Sequence, residues 1–352
     1  MKYLFKILIL LFGTLSFSQE LIFENLFDSS LNSEIACYRI PSIITSTNGT
    51  LIAAIDERNN SCGDLKWNKN INIVLRKSYD DGKTWTKIER IIDYPIGESA
   101  SDPSMIVDRQ TKDIFLFYNY MNLDKAKDIY RFMVIKSNDN GESWSSPKDI
   151  TDQITKKEWK NDFMFITSGR GIQSEDGILL HCLVNLNKGT HVFGSNDHGK
   201  NWFLIDYPLK PGDESKIIEL SNGDWLVNSR VNLNKFRYSH ISKDRGKSWL
   251  SFENKDLSDP ACNASIINYN ISSEKLLLFS NAFDSNERKN LSLSISYDQG
   301  MSWKNNKTIY KGSSAYSSMT KLKNGDVGLF FEKDNYTKNV FVRVPKKWVL
   351  DK

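Results

Sequence analysis

The sequence predicts an all-β fold, a six-bladed β-propeller, and three observations lead to this prediction. An octapeptide pattern, Ser-x-Asp-x-Gly-x-x-Trp, occurs five times at nearly regular spacing. A second pattern, a turn followed by a hydrophobic strand, occurs six times. Helical periodicity is weak along the whole chain, and residues 149–160 are the best candidate for a short surface helix.

The octapeptide pattern, called the Asp-box below, marks a repeated hairpin. Its copies start 59, 58, 47 and 54 residues apart, and repetition at such a period is typical of a propeller. We expect the Asp carboxylate to accept hydrogen bonds from backbone N–H groups two residues on, and the Gly to adopt a positive φ. We expect the Trp to pack beneath the turn with its indole N–H available for a backbone acceptor. The five copies begin at Ser78, Ser137, Ser195, Ser242 and Ser296.

The turn-plus-strand units set the predicted blade count. The first five are each followed by one Asp-box, and six units at this spacing predict six blades of about four strands each. The sixth unit lacks a box, so we expect residues 21–27 to supply its last strand and to close the ring without a bare sheet edge. The six units begin at Asn48, Thr111, Asp176, Asn222, Ser273 and Asn324.

Residues 1–18 have the pattern of a secretory signal peptide, with two lysines before an apolar core and small or polar residues at its end. We therefore expect an exported protein, periplasmic or extracellular, whose residues 19–352 form one propeller domain. No later stretch approaches the length of a membrane helix, so no membrane span is predicted.

Charge and composition exclude several classes of function. The chain has 47 basic and 43 acidic residues, a balance that argues against a nucleic-acid surface or a polybasic membrane patch. It has four histidines and no CxxC spacing, which argues against a zinc site. We expect no metal and no cofactor, and a monomer.

The four cysteines allow three pairings, and the sequence does not choose among them. Cys37–Cys62 is the preferred bridge because export permits a disulfide and both residues flank the same region of interest. Cys182 and Cys262 lie in apolar runs that are typical of buried free thiols.

Residues outside the repeats are the candidates for function, and the first is Arg39 in the run Tyr-Arg-Ile-Pro. An arginine at the start of an apolar strand can pair with a structural carboxylate, or it can point into a cavity and bind an anion through two hydrogen bonds. This run, followed by Asp56-Glu57-Arg58, Asp64 and an Asp-box, resembles the start of the bacterial exo-sialidase (neuraminidase) family.

Three later motifs resemble the same family in its order. Glu214 followed by Arg230, Arg288 before the fifth box, and Tyr316 in the run Ala-Tyr-Ser-Ser-Met are similar to its central Glu, second Arg, third Arg and nucleophilic Tyr. The resemblance covers the chain from residue 19 onward. It implies a retaining exo-α-sialidase acting on sialylated glycans.

The resemblance implies that Arg39, Arg230 and Arg288 bind the substrate carboxylate, since arginine forms forked, charge-assisted hydrogen bonds to such a group. Arg237 is an alternative to Arg288, but it lies on a strand where outward-facing charges are ordinary. A further pair, Arg58 near the sugar hydroxyls and Asp102 facing the N-acyl group, is implied to contact substrate.

The implied nucleophile is Tyr316, because an attacking Asp or Glu would be repelled by the substrate's own carboxylate. Glu214, hydrogen-bonded to the Tyr316 hydroxyl, is the implied base. Asp64 is the implied acid, and it falls one residue from the family's usual spacing. Asp56 is its competitor, and Glu219 is expected on the outer face of its strand.

Two alternative functions remain open. One is a trans-sialidase, which transfers the sugar to an acceptor or to itself. The other is a non-catalytic propeller that binds sialic acid or serves a structural role, because Asp-boxes also occur in such proteins. The joint presence of Asp64, Glu214, Tyr316 and the three arginines favours catalysis.

Overall fold

The computed structural model describes residues 20–232, 234–271 and 273–351, and strands dominate it. The strands are β1 Phe23–Asp28, β2 Ile35–Thr45, β3 Leu51–Asn59, β4 Ile71–Ser78, β5 Glu89–Ile92, β6 Glu98–Val107, β7 Ile114–Asn122, β8 Arg131–Ser137, β9 Lys148–Asp149, β10 Met164–Ile166, β11 Gly169–Arg170, β12 Ile172–Gln173, β13 Leu179–Asn185, β14 Gly189–Ser195, β15 Phe203–Leu209, β16 Ser215–Glu219, β17 Trp225–Ser229, β18 Phe236–Ser242, β19 Leu250–Ser258, β20 Ser265–Ile271, β21 Glu274–Ala282, β22 Lys289–Ser296, β23 Lys304–Lys321, β24 Val327–Lys333 and β25 Lys338–Val344. The helices are α1 Thr151–Ile154 and α2 Lys346–Leu350, with 3-10 turns at Ser29–Leu31 and Lys157–Trp159.

The strands of the described residues form five sheets in a propeller-like arrangement. The first sheet holds β2–β5, and the second holds β6–β9 together with β11. The third holds β10, β12 and β13–β15, and the fourth holds β16–β19. The fifth has seven strands, β20–β25 with β1 at its edge. Pairing is antiparallel except between β11 and β6, which run parallel. The sequence predicted six blades of about four strands each, whereas the described strands are connected into five sheets.

The seven-stranded sheet is continuous because its longest strand changes partner. The first part of β23, residues 304–313, pairs with β22, and the second part, residues 314–321, pairs with β24. At the far edge β1 pairs with β25, with Phe23 opposite Val342. The prediction that the N-terminal segment supplies the last strand of the final unit is therefore confirmed.

The Asp-box turns have a hydrogen-bond pattern that differs in detail from the prediction. In the first box, Oδ1 of Asp80 accepts from the N–H groups of Lys83 (3.1 Å) and Thr84 (2.9 Å), three and four residues on instead of two. Gly82 has φ 84° as predicted, and Asp81 before it also has a positive φ of 59°. Two consecutive residues with positive φ lengthen the turn, so the N–H groups that donate to the Asp80 carboxylate lie further along the chain.

The indole N–H prediction holds for one box. Trp85 donates from Nε1 to the carbonyl oxygen of Gly82 at 3.2 Å. In the other four boxes the buried indole nitrogen has no hydrogen-bond partner among the described residues, so packing is the main role of those rings.

The second repeat is confirmed as the second strand of each strand group: β3, β7, β13, β17, β21 and β24 follow the predicted turns. The hydrophobic core lies between neighbouring sheets. In one cluster Ile44 and Ile73 of the first sheet pack with Met105 and Leu116 of the next. The predicted surface helix corresponds to α1 and the 3-10 turn after it, although Ile154 and Trp159 are buried there.

The predicted signal peptide, residues 1–18, lies outside the described residues. Within the described ranges, no helix combines the length and the apolar character that a membrane span needs. The same ranges hold no group of three or more His, Cys, Asp or Glu side chains arranged to bind a metal ion.

Candidate active site

The predicted site residues lie where the first strand of several sheets begins. Arg39 is near the start of β2, Asp102 is in the first half of β6, and Glu214 directly precedes β16. Tyr316 lies on β23 just after this strand has changed partner. Because β2 contacts both β6 and β23, these positions converge although they are distant in sequence.

A cavity of about 250 Å³ joins five of the eight predicted residues. These residues make part of its lining polar and charged. The five are Asp64, Asp102, Glu214, Arg230 and Tyr316. Such a mixed concave pocket is the usual form of a small-molecule site.

The lining of this cavity also contains apolar and aromatic residues, which were not predicted from the sequence. Tyr130, Phe163, Phe165 and Leu186 line it, together with Trp67, whose side chain is largely exposed. The signal in the sequence was weak, because isolated aromatic residues in a chain with 12% aromatics do not stand out. Only their common position beside Asp64 separates them from core residues.

Three arginines surround the Tyr316 side chain. The guanidinium carbon of Arg39 lies 5.5 Å from the ring centroid, and that of Arg288 lies 5.4 Å from it. Nη1 of Arg230 lies 3.3 Å from the hydroxyl oxygen. Three guanidiniums around one side chain repel one another, so the arrangement favours binding of an anion. The structure thus brings together the three arginines that the resemblance singled out.

Arg39 is held in place by Glu332, a residue that the sequence analysis missed. Nε of Arg39 donates to Oε1 of Glu332 at 2.7 Å, and the carboxylate also accepts from the backbone N–H groups of Ile40 (2.9 Å) and Tyr316 (3.1 Å). Burial lowers the pKa of Arg39, but the charge and hydrogen bond of Glu332 and the nearby Tyr316 and Tyr336 together raise it by more, so the guanidinium stays charged. The available signal was a single acidic residue after the apolar run of β24.

The terminal nitrogens of Arg39 are the free part of this arginine. Among the described residues, neither Nη1 nor Nη2 of Arg39 has a hydrogen-bond partner, whereas Nε is fixed by Glu332. Two parallel N–H donors of one guanidinium match the geometry of a carboxylate.

Glu214 contacts Arg230 instead of the Tyr316 hydroxyl. Its Oε2 lies 2.7 Å from Nη1 of Arg230, the same nitrogen that reaches the hydroxyl. In the described part of the chain no hydrogen bond joins Glu214 to Tyr316, so the predicted direct contact is absent. The reason is that the arginine nitrogen lies within reach of both oxygens and bridges them.

The Tyr316 hydroxyl is protonated near neutral pH. Burial raises the pKa of Tyr316 well above its usual value, and the negative charge of Glu214 adds to the rise. The positive charges of Arg230 and Arg288 act in the opposite direction without cancelling it. A reaction that uses this oxygen as a nucleophile therefore needs a nearby group to accept its proton.

Arg288 is held by neutral groups. Its Nη2 donates to the carbonyl oxygen of Ala261 at 3.0 Å, and its Nη1 donates to the hydroxyl of Tyr336 at 3.3 Å. Among the described residues it forms no salt bridge, unlike Arg39 and Arg230. It is therefore the member of the three whose charge is left for an incoming anion.

Arg237, the alternative to Arg288, is excluded from the cavity. The sequence predicted an outward-facing charge here, but the side chain is fully buried. Its Nη1 donates to the carbonyl oxygen of Cys262 (2.6 Å) and lies 3.3 Å from Asp259. This internal pairing with Asp259 makes its role structural.

Asp64 lies on an exposed loop at the mouth of the cavity. Its side chain is 66% exposed, and its Oδ1 lies 2.6 Å from Nη1 of Arg58. Burial of part of the group raises the pKa of Asp64, but the charge and hydrogen bond of Arg58 lower it by more, so the net shift is downward. Arg58 itself is 1% exposed and lies behind Asp64, so it does not line the cavity as the prediction required.

Asp56, which is buried, and Asp102, which is partly exposed in the cavity, lie beside each other. Asp56 is saturated by donors from Arg58, from the Ser101 hydroxyl (2.6 Å) and from the Asp102 N–H (2.9 Å), and it is fully buried. Burial raises the pKa of Asp56 to about 6. Burial, with the charge of Asp56, raises the pKa of Asp102 to about 8. Asp56 is thus withdrawn from the cavity, while Asp102 presents a carboxyl that is largely protonated at neutral pH.

The predicted disulfide is present. Cys37 and Cys62 are bridged with a Cα–Cα separation of 5.7 Å, and Cys182 and Cys262 are buried free thiols. The bridge fixes the loop that carries Asp64 to β2, the strand that carries Arg39.

Reduction of this bridge should lower thermal stability. The bridge closes a loop of 25 residues, so its loss should cost about 3 kcal/mol of unfolding free energy. Melting curves of the wild type with and without reductant should differ by several degrees. The double variant Cys37→Ser/Cys62→Ser is the matched control, and its melting temperature should not respond to reductant. A reductant effect of equal size in that variant would contradict the assignment.

Comparisons with known proteins agree with the propeller-like fold. The family model described as BNR repeat-like domain matches residues 49–329. The chain is 32% identical over 327 residues to a sialidase of Micromonospora viridifaciens, covering 84% of this chain and 50% of that protein. It is 29% identical over 330 residues to a sialidase of Bacteroides fragilis, covering 84% of this chain and 60% of that protein. Among solved structures, the Hadza microbial sialidase Hz136 superposes with a TM-score of 0.83 at 25% identity, covering 92% of this chain and 69% of that one.

The matched region spans between half and two thirds of the two bacterial relatives' lengths. Those proteins therefore contain further sequence beyond the part that corresponds to this chain.

Proposed function

Because this chain belongs to the BNR-repeat family that includes sialidases, we propose that it is an exo-α-sialidase. It removes terminal α-linked sialic acids from glycans and retains the configuration at the anomeric carbon. The observation that supports this best is the set of three arginines around one buried tyrosine, with Glu214 beside it. Sialic acid has its carboxylate on the anomeric carbon, so a site that binds this anion also places the reacting carbon next to the tyrosine.

Substrate binding uses the arginine cluster. Arg39 offers two terminal nitrogens, and Arg288 offers a charge with no carboxylate partner among the described residues. The cluster is held ready before substrate arrives, which reduces the ordering cost of binding. The N-acyl group lies near Asp102, and the apolar part of the lining receives the less polar face of the sugar.

The first chemical step forms a bond between the Tyr316 hydroxyl oxygen and the anomeric carbon. The bond from that carbon to the glycosidic oxygen breaks, and Asp64 gives its proton to the departing oxygen. Glu214 receives the proton of the tyrosine hydroxyl, and the bridging Arg230 must shift by a small amount for this transfer. The positive charges of Arg230 and Arg288 favour the developing phenolate.

The second step releases the sugar. Asp64, now a carboxylate, accepts a proton from water, and the water oxygen attacks the anomeric carbon. The bond to the tyrosine oxygen breaks, and Glu214 returns the proton to it. Two displacements at the same carbon give net retention.

The finer architecture is also a proposal: we count six blades. The seven-stranded sheet comprises two four-stranded blades that share the long strand β23, which serves as the outer strand of one and the inner strand of the next. Counted this way, the first strands of neighbouring blades contact each other at four junctions, β2 with β6, β16 with β20, β20 with β23 and β23 with β2.

Export is the proposed location, periplasmic or extracellular. The signal-like residues 1–18 support it, and a disulfide is more common in such oxidising compartments.

The direct test is release of free sialic acid from a fluorogenic α-sialoside by purified protein at mildly acidic pH. Turnover that yields free sialic acid supports the proposal. Appearance of a sialylated or anhydro product in place of free acid would indicate a trans-sialidase. Binding of the sialoside without turnover would indicate a non-catalytic propeller.

The Asp64→Asn variant should separate natural from activated substrates. An amide at this position donates no proton, so cleavage of natural sialosides should fall by about a hundredfold to a thousandfold. Sialosides with an activated phenolic leaving group need little acid assistance and should lose less than about tenfold. Paired kcat/KM values for the two substrates measure the difference.

The pH profile provides the second readout for the same residue. Because Arg58 lowers the pKa of Asp64 below its usual value, the protonated fraction of Asp64 is already falling at about pH 4. Wild-type kcat/KM for natural sialosides should therefore decline steadily as the pH rises above about 4, and Asp64→Asn should lack this decline. Equal losses for both substrates would show that Asp64 is not the acid.

A further inference from the structure

A second cavity, of about 1010 Å³, lies at the end of the propeller opposite the candidate active site. Its wall contains the far ends of the strands that begin at that site. Thr45 ends β2, Val107 ends β6 and Lys321 ends β23, whereas Arg39 lies near the start of β2. The two cavities therefore open on different faces, and nothing in the proposed reaction uses the second one.

Basic side chains line this second cavity without internal compensation. Within the described residues none of the four forms a salt bridge, and the two acidic residues in the wall, Glu175 and Glu219, form none either. The four basic residues are Arg109, Arg170, Lys275 and Lys321. The wall thus carries an excess of positive charge.

Arg170 is the central group of this set. It lies on β11, the short parallel strand that pairs with β6, and its Nη1 donates to the carbonyl oxygen of Met319 at 3.0 Å. Its Nε is buried and has no hydrogen-bond partner among the described residues. Burial, reinforced by the charge of Arg109, lowers the pKa of Arg170 to about 10, so it is still protonated at neutral pH.

Arg109 is positioned in a similar way. Its Nη1 donates to the carbonyl oxygen of Gln173 at 2.9 Å and its Nη2 donates to that of Ser174 at 3.0 Å. Backbone carbonyls orient both guanidiniums but leave their charges unneutralised. Arg109 is exposed to solvent, whereas Arg170 is only partly exposed and its Nε is buried. An uncompensated charge with little access to solvent is costly, so Arg170 favours an anion in the cavity.

The acidic residues do not serve as that anion. Oε2 of Glu219 accepts from the backbone N–H of Glu175 at 2.6 Å, so this carboxylate is anchored to the loop between β12 and β13. Burial raises the pKa of Glu219, while the charge of Arg109 acts in the opposite direction. Glu219 was expected on the outer face of its strand, and instead it contributes to this wall.

We propose that this cavity binds a small oxyanion, a phosphate, sulfate or carboxylate group, through Arg170 and Arg109. The anion is either free or carried by a sugar, since the wall also holds amide and hydroxyl groups such as those of Asn268, Gln299 and Thr320, which suit sugar hydroxyls. Guanidinium groups favour such ligands because they donate charge-assisted hydrogen bonds to oxyanions.

Inorganic phosphate, glucose 6-phosphate and glucose are the three probes for calorimetric titration at constant ionic strength. Wild type should bind both phosphates and not glucose. Equal affinity for the two phosphates indicates a free anion, whereas tighter binding of glucose 6-phosphate indicates an anion carried by a sugar. Arg170→Gln should weaken phosphate binding by about tenfold or more, as expected for loss of a charge-assisted hydrogen bond.

Two further arginine variants locate the binding. Arg131→Gln, an exposed arginine on the outer surface, is the matched control and should bind as wild type does. Arg288→Gln distinguishes the candidate active site: it removes any phosphate bound there and should keep the binding that Arg170→Gln weakens. If Arg170→Gln does not fold, Arg109→Gln replaces it with the same expected loss.

Three results would overturn the proposal. The first is no measurable phosphate binding by wild type at millimolar concentration. The second is unchanged affinity in Arg170→Gln or its replacement. The third is loss of binding in Arg288→Gln alone, which would place the anion at the candidate active site. Since none of these experiments measures sialoside turnover, they test this cavity independently of the proposed enzyme activity.

Discussion

The Tyr316→Phe variant should lose at least about a thousandfold in kcat while its affinity for sialic acid stays within about threefold of wild type. The substitution removes one oxygen atom, the proposed nucleophile, and leaves the ring between Arg39 and Arg288. The carboxylate-binding groups therefore remain in place. Steady-state kinetics with a fluorogenic sialoside and calorimetric titration with sialic acid measure the two quantities on the same preparation.

Tyr207→Phe is the matched control for that experiment. Tyr207 is an exposed tyrosine on β15, outside the cavity, and its variant should keep wild-type turnover. If Tyr316→Phe kept more than about a tenth of wild-type kcat, the tyrosine could not be the nucleophile. A loss of affinity equal to the loss of turnover would instead assign the hydroxyl to binding.

The Arg288→Gln variant should lose about a hundredfold in kcat/KM, mainly through a higher KM. Arg288 has no carboxylate partner among the described residues, so its removal leaves no unpaired acid behind. This distinguishes it from Arg39 and Arg230, whose loss would leave Glu332 or Glu214 without its ion-pair partner. The effect of Arg288→Gln therefore reports on the substrate carboxylate and not on a broken internal pair.

A ligand without the negative charge provides a second test of whether Arg288 binds the carboxylate. The methyl ester of a sialic acid-like inhibitor lacks the negative charge, so wild type and Arg288→Gln should bind it with nearly equal affinity. The corresponding free acid should bind to wild type much more tightly than to the variant. Arg131→Gln should resemble wild type with both ligands. If the ester discriminated between wild type and variant as strongly as the acid, Arg288 would act by shaping the cavity and not by binding the carboxylate.

The amino-acid sequence determined the strand repeat almost completely. Five Asp-boxes and six turn-plus-strand units located the second strand of each group, and the free edge of β25 was assigned to the N-terminal segment. These features are local: a turn needs its Asp and Gly at fixed spacing, and a strand needs a short apolar run. The family resemblance added Arg39, Arg230, Arg288 and Tyr316, which the fold brings to one point.

What the sequence could not give was the partner of each charged group. Arg237 and Arg288 both lie in or beside strands with no distinguishing pattern, yet one is buried against Asp259 and the other faces Tyr316. The role of Glu332 as the anchor of Arg39, and the bridge from Arg230 to both Glu214 and Tyr316, were equally hidden.

The physical reason is that most strands in these sheets are buried on both faces. The alternation of apolar and polar residues along a strand therefore does not distinguish a charge that faces the cavity from one with a structural role. The energy of a buried charge depends on the groups within a few ångströms of it. Here those groups come from strands that are hundreds of residues apart, as Arg39 and Glu332 are. The sequence alone determined which segments become strands and turns. The tertiary structure decided which charges are neutralised inside the protein and which, like Arg288, are left for a ligand.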